Sequence, residues 1–181
     1  MDAQPDDQRA EGVRREVGAL GTLGFDVEEI DLRSFFDEKG DLQTVLAAYD
    51  VLWLKGGNVF MLRYALARSG ADMAITGLLQ QDAIVYAGYS AGPCVLGPTL
   101  HGLDAVDPPD VVTVLYGEPP IWEGLAVLDY AIVPHVDSPE HQATNQLALV
   151  AANYRAQGKP YRTLRDGQVL VIDGDQETLC D

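Results

Sequence analysis

Three short runs without a charged residue constrain this chain most: VLWL at 51–54, AIVYAGY at 83–89 and YAIVPHV at 130–136. Each is rich in β-branched or aromatic residues, and none alternates apolar with polar. A strand of that kind must be buried on both faces, which is the situation of a parallel strand covered by helices. Helical segments stand between the runs, so the expected fold class is α/β, a mostly parallel sheet flanked by helices on both faces.

The segments between support this layout. Residues 5–20 open with Pro and acidic residues and place Val13, Val17 and Leu20 on one face, a helix with a good N-terminus. FDVEEIDL, after the Gly24 break, is expected as a strand, and DLQTVLAAY as a short helix capped by Asp41. NVFMLRYALARSG and ADMAITGLLQQ are expected helices, and 97–120 a long Pro/Asp/Gly-rich segment. PEHQATNQLALVAANYRAQG is expected as a helix, with His141 in its first turn, and YRTLRDGQVLVIDG as a closing hairpin-like pair. The chain opens on the loop and helix of a βα unit with no strand before it. Either the sheet lacks its first strand, or the natural start lies upstream.

A length of 181 residues, with 47% hydrophobic and 22% charged residues, suits one domain over 1–181 with a core large enough to dispense with disulfides. The 28 acidic against 12 basic residues, net −16, argue against nucleic acid or an anionic membrane as partner. From Ala83 to Leu103 no residue is charged, but four glycines and two prolines in that span speak for a folded core segment rather than a membrane helix. Cys94 and Cys180 make no metal-type spacing with His101, His135 or His141, so a reduced, cytoplasmic chain without metal or cofactor is expected. The acidic N-terminus does not have the form of a secretory signal. The expected partner is a small peptide substrate, with a homodimer as the candidate assembly.

Three turns carry the chemistry. Gly88-Tyr89-Ser90-Ala91-Gly92 has the G-x-S-x-G form of a nucleophile elbow, in which a serine sits on a sharp strand-to-helix turn and the next N–H faces a developing oxyanion. LKGGNVF at 54–60 follows a strand with Gly56 and Gly57, which let backbone approach a ligand, and Asn58, a favoured helix cap. Its N–H groups are candidates for the rest of an oxyanion hole; the G-x-x-x-x-G-K-[ST] phosphate-loop pattern is absent. His135 ends the third run, at the same C-terminal sheet edge, where it can serve as base to Ser90. His141 and His101 are its rivals.

With these turns in place the chain resembles the aspartyl dipeptidase (peptidase E) family of serine peptidases, relatives of cyanophycinase within the class I glutamine-amidotransferase-like fold. The resemblance runs through DAQPDDQR, LGFDVEEIDLR, GGNVFML, YAGYSAGPCVLGPTL, EGLAVLDYAIVPHV and YRTLRDGQVLVIDG. It implies the three-layer sandwich of that fold, with the first strand absent before Asp2, and hydrolysis of dipeptides bearing an N-terminal aspartate. Ser90 then matches the nucleophile, His135 the base, and Gly57 and Ala91 the oxyanion donors. The acid that orients the histidine falls after the elbow: Asp107, which precedes a Pro-containing stretch as in the family, or Asp104, with Glu123 as a further alternative. No metal is implied. The arginine that some members carry downstream of the histidine has no counterpart in HQATNQLAL, which leaves Lys55 or Arg155 as substitutes. A cyanophycinase-like hydrolase of β-aspartyl-arginine and a non-catalytic binding module of the same fold are the competing readings.

Overall fold

A computed structural model describes residues 6–36 and 41–181. It begins with helix α1 (Asp6–Thr22); Pro5, expected at the helix start, lies outside the described residues. Val13, Val17 and Leu20 are half-buried.

FDVEEIDL is not a strand. Residues 25–31 join no ladder, and Asp31 instead caps a 3₁₀ turn, Leu32–Phe35, by accepting the Arg33 N–H at 3.0 Å. The Asp31 carboxylate also receives the Arg33 guanidinium, which holds its titration below the usual carboxylate range against the cost of partial burial. These local bonds tie down the end of the segment, at Asp31 and Arg33, without a neighbouring strand.

Helix α2 (Leu42–Leu46) starts where Asp41 accepts the Thr44 N–H, as expected of a cap. Strand β1 (Val51–Leu54) leads into α3 (Val59–Ser69), the most deeply set helix: Phe60, Ala65 and Leu66 have no exposed surface. Helix α4 (Ala71–Gln80) follows directly and precedes β2 (Val85–Gly88). β1 and β2 pair in parallel, from Val51 opposite Val85 to Leu54 opposite Gly88. Their outer face is less covered than the uncharged runs suggest, with Trp53 41% and Val85 60% exposed. α1 reaches Trp53 through Glu16, which accepts its indole N–H at 3.1 Å.

Beyond the elbow come α5 (Ala91–Cys94) and the segment expected as irregular. It contains a 3₁₀ turn, Leu103–Ala105, and α6 (Asp110–Tyr116), whose Val112 is fully buried against the core. Strand β3 (Ala131–Val133) is buried at every residue, as a doubly covered parallel strand must be. Helix α7 (Thr144–Ala156) begins later than its pattern suggests, leaving Pro139 to Ala143 as a turn.

The C-terminal segment is not a hairpin throughout. Tyr161–Thr163 forms β4, which pairs in parallel with β3, from Ala131 opposite Tyr161 to Val133 opposite Thr163. The hairpin is β5 (Val169–Asp173) with β6 (Gln176–Cys180). The fold is thus α/β with parallel strands, the ladders among the described residues falling into two parallel pairs and one antiparallel pair. β2 and β3 share no ladder; the Cys94 thiol of α5 reaches across to the Ile132 carbonyl at 3.5 Å. Among the described residues no helix is long and apolar enough to cross a membrane.

Candidate active site

The C-terminal ends of β1, β2, β3 and β4 each feed one turn, and the candidate chemistry sits on those turns. After β2 the chain reverses at Ser90 with φ 55° and ψ −112°. That conformation is costly for a residue with a Cβ, on the order of 1–3 kcal/mol. It is held by packing at the glycines on either side: a Cβ at Gly88 or at Gly92 would come within 2.5 Å of the Leu54 carbonyl oxygen. The Tyr86 hydroxyl, buried and so raised in pKa, donates to the Gly92 carbonyl at 2.6 Å and ties the start of α5 to β2. Beneath it the Cys94 thiol donates to the Ser90 carbonyl at 3.1 Å; burial pushes that thiol up, as suits a packing role.

His135, after β3, also has a positive φ, 58°. Its Nε2 lies 3.0 Å from Ser90 Oγ and its Nδ1 lies 2.5 Å from Asp166 Oδ1. An ionised carboxylate can only accept, so Nδ1 carries the proton and Nε2 is left with a lone pair for the serine hydroxyl.

Asp166 was not among the expected acids. It occupies the loop after β4, which the parallel β3–β4 pairing brings beside His135. The two loops are joined further: the Val136 N–H donates to the Leu164 carbonyl at 3.1 Å, and the Asp166 N–H donates to Ser138 Oγ at 2.8 Å. Ser138 is a buried polar residue, 3% exposed, whose own N–H donates to Thr144 Oγ1 at the start of α7.

The three expected acids are placed elsewhere. Asp107 accepts the Val59 N–H at 2.9 Å and so caps the first turn of α3, while Asn58 Nδ2 donates to the neighbouring Pro108 carbonyl. Burial pushes the Asp107 carboxyl up, against the pull of the Val59 N–H. Asp104 accepts the Gly102 N–H within its own turn, and Glu123 meets Arg63 and Thr99 through its backbone. Loop length after the elbow fits any of them; packing on α3 and in the local turns takes them away from the histidine.

Asn58 caps α3, its Oδ1 accepting the Phe60 and Met61 N–H groups. This presents Gly56 and Gly57 beside the elbow, where a Cβ on Gly56 would stand 2.9 Å from Ser90 Cβ and 2.8 Å from the Tyr89 ring. Ala91 opens α5, and the first N–H groups of a helix lack intrahelical acceptors. Burial, then the hydrogen bond to Glu16, pushes the Tyr89 phenol up to about 12.

His141, one of the rivals, stands in the turn before α7 and stacks flat on His135, ring centroids 3.7 Å apart and planes 2° from parallel. Desolvation and the neighbouring His135 lower its pKa, and its Nδ1 accepts the Ala143 N–H at 3.3 Å. His101 is remote, stacked on Trp122. A cavity of about 930 Å³ opens over Ser90, His135 and His141, lined also by Gly56, Gly57 and Lys55, with Arg14 and Arg15 of α1 at its side. Arg155, in the last turn of α7, does not line it. Among the described residues no three His, Cys, Asp or Glu side chains converge to hold a metal ion.

The model of peptidase family S51 matches residues 4–180. The chain is 30% identical over 169 residues to "Peptidase E" of Streptomyces coelicolor, covering 91% of this chain and 63% of that protein. It is 28% identical over 158 residues to "Uncharacterized peptidase Lmo0363" of Listeria monocytogenes, covering 87% and 72%. It is 28% identical over 165 residues to "Probable alpha-aspartyl dipeptidase" of Drosophila melanogaster, covering 89% and 63%. The chain thus spans between about three fifths and three quarters of the length of these relatives. The crystal structure of a "Putative Peptidase E Protein" from Listeria monocytogenes EGD-e superposes with a TM-score of 0.71 at 23% identity, over 90% of this chain and 74% of that one, and has the same fold.

Proposed function

The chain belongs to peptidase family S51, and from that membership together with the site geometry we propose that it is a serine-type dipeptidase acting through Ser90, His135 and Asp166. One observation carries the reading: a histidine with a serine hydroxyl 3.0 Å from one ring nitrogen and a carboxylate 2.5 Å from the other.

Asp166 keeps the proton of His135 on Nδ1, so Nε2 takes the Ser90 proton as Oγ attacks the peptide carbonyl. The Gly57 and Ala91 N–H groups hold the oxyanion that forms. The imidazolium then gives its Nε2 proton to the leaving amine, leaving an ester on Ser90. Water enters, loses a proton to Nε2, and releases the acid product with Oγ reprotonated. Each residue used here lies on a backbone fixed by the turns above, so little reorganisation is needed at the moment of reaction.

A substrate with an N-terminal aspartate is the finer part of the proposal. It draws on the resemblance to aspartyl dipeptidases and on the name of the Drosophila relative, whose sequence is 28% identical. Labelling with a fluorophosphonate probe tests the nucleophile: the wild type is expected to label and Ser90→Ala to be silent. Labelling that survives in Ser90→Ala overturns the assignment. Hydrolysis of a panel of Asp-X, Glu-X and β-Asp-Arg dipeptides tests the substrate class, with Asp-X expected fastest.

A further inference from the structure

We infer that Arg14 and Arg15 of α1, together with Lys55, form a carboxylate-binding subsite on the substrate cavity and set this chain's preference for anionic peptides. The inference rests on the peptidase reading of the site and adds residues that neither the elbow nor the histidine identifies.

The charge distribution leads to it. The chain has only 12 Lys and Arg against 28 Asp and Glu, yet three of those 12 line the one cavity that contains Ser90 and His135. Of the seven other arginines, five pair with a carboxylate: Arg9 with Glu29, Arg33 with Asp31, Arg63 with Asp72, Arg162 with Glu177 and Arg165 with Asp181. Arg14 and Arg15 have no carboxylate within salt-bridge distance among the described residues. Glu16, beside them in sequence, is engaged by the Trp53 indole and the Tyr89 hydroxyl. Among the described residues Glu11 is the one acid of the cavity wall. Two adjacent guanidinium groups with no ion-pair partner among the described residues, in a protein of net −16, leave a local positive field for an anion to neutralise.

Geometry places that field next to the reacting atoms. Lys55 follows β1 and immediately precedes Gly56, whose Cβ position is 2.9 Å from Ser90 Cβ. The Lys55 ammonium reaches α1, coming within 2.7 Å of where a Cβ on Gly12 would stand, so a side chain at that position would displace it. α1 therefore forms part of the cavity wall, and its basic residues line the same space as the nucleophile. Arginine suits the task because its planar fork can meet a carboxylate with two parallel hydrogen bonds. A β-aspartyl-arginine substrate would bring its guanidinium toward these cations, which disfavours the cyanophycinase-like alternative.

A short acidic peptide carries two carboxylates that could occupy the subsite, the aspartyl side chain and the free C-terminus. The experiment separates them. Rates are measured on Asp-Leu, Asn-Leu and Asp-Leu amide for the wild type, Arg14→Gln/Arg15→Gln and Lys55→Met; glutamine keeps the helix propensity of α1. If the side chain is read, the double variant lowers the Asp-Leu over Asn-Leu ratio of kcat/KM by about 10- to 100-fold, the range of a charged hydrogen bond. If the C-terminus is read, the Asp-Leu over Asp-Leu amide ratio falls instead. Both ratios unchanged within about threefold in both variants overturn the subsite. Calorimetric titration of Asp-Leu into Ser90→Ala, with and without the arginine substitutions, separates the subsite from the chemistry. Binding lost only with the arginines upholds the subsite even where turnover is absent, and binding indifferent to them overturns it.

Discussion

Asp166→Asn tests the part of the site that depends most on the tertiary structure. The substitution keeps shape and backbone but replaces an acceptor-only carboxylate with an amide that can donate to His135 Nδ1, driving the proton to Nε2 where it blocks the base. It also removes the charge that balances the imidazolium. Two unit charges 2.5 Å apart attract by about 2 kcal/mol at the dielectric of water and about 7 kcal/mol at an effective value near 20. The Asp166 side chain is 49% exposed, which places the interaction toward the lower end. About 2 to 4 kcal/mol of transition-state stabilisation corresponds to a roughly 30- to 1000-fold fall in kcat/KM. The assay is steady-state hydrolysis of Asp-Leu by wild type, Asp166→Asn, Asp166→Glu and Asp107→Asn, with folding checked by thermal melting. Asp166→Glu is expected to retain part of the activity. An Asp166→Asn rate within about threefold of wild type, or a larger loss in Asp107→Asn, would refute the assignment.

Two further outcomes follow from the same geometry. Gly56→Ala places a methyl group 2.9 Å from Ser90 Cβ and 2.8 Å from the Tyr89 ring, so the oxyanion loop and the elbow must move apart. A loss on the order of 100-fold in kcat/KM is expected from a displacement of that kind, with the protein still folded by circular dichroism. For Asp107, burial raises the folded-state pKa above the unfolded value, so folding favours the protonated carboxyl. Its contribution to stability is complete below about pH 4 and is lost as pH rises through the folded value. Asp107→Asn is therefore expected to melt progressively higher than wild type as pH increases from about 4 to 7, because asparagine still accepts the Val59 N–H without carrying a charge. A gap that shrinks or reverses with pH would mean that the Val59 hydrogen bond outweighs burial.

Local chemistry determined much of this protein before any tertiary contact was considered. Asp41 and Asn58 read as caps and act as caps, because a cap is satisfied within three residues of itself. The uncharged runs read as strands, and the G-x-S-x-G turn follows from the need for small residues beside a strained serine, so Ser90, Gly56, Gly57, Ala91 and His135 could be assigned to one sheet edge. His135 could be paired with Ser90 because parallel strands deliver their C-terminal ends to the same side. Two segments depart from their local signature for a common reason. FDVEEIDL has the composition of a strand, but a strand exists only by pairing, and residues 25–31 meet no partner strand among the described residues. Arg165-Asp166-Gly167 has the local signature of an exposed hairpin turn, which marks no acid partner for a histidine, whereas the acids nearer the elbow lie in its own segment. Only the tertiary structure decided that Tyr161–Thr163 pairs in parallel with Ala131–Val133, carrying the following loop to His135. It likewise decided that α1 lies against Lys55 and brings Arg14 and Arg15 to the cavity. Strand partners and helix placement depend on surfaces distant in sequence, and no local pattern of side chains encodes which of them will meet.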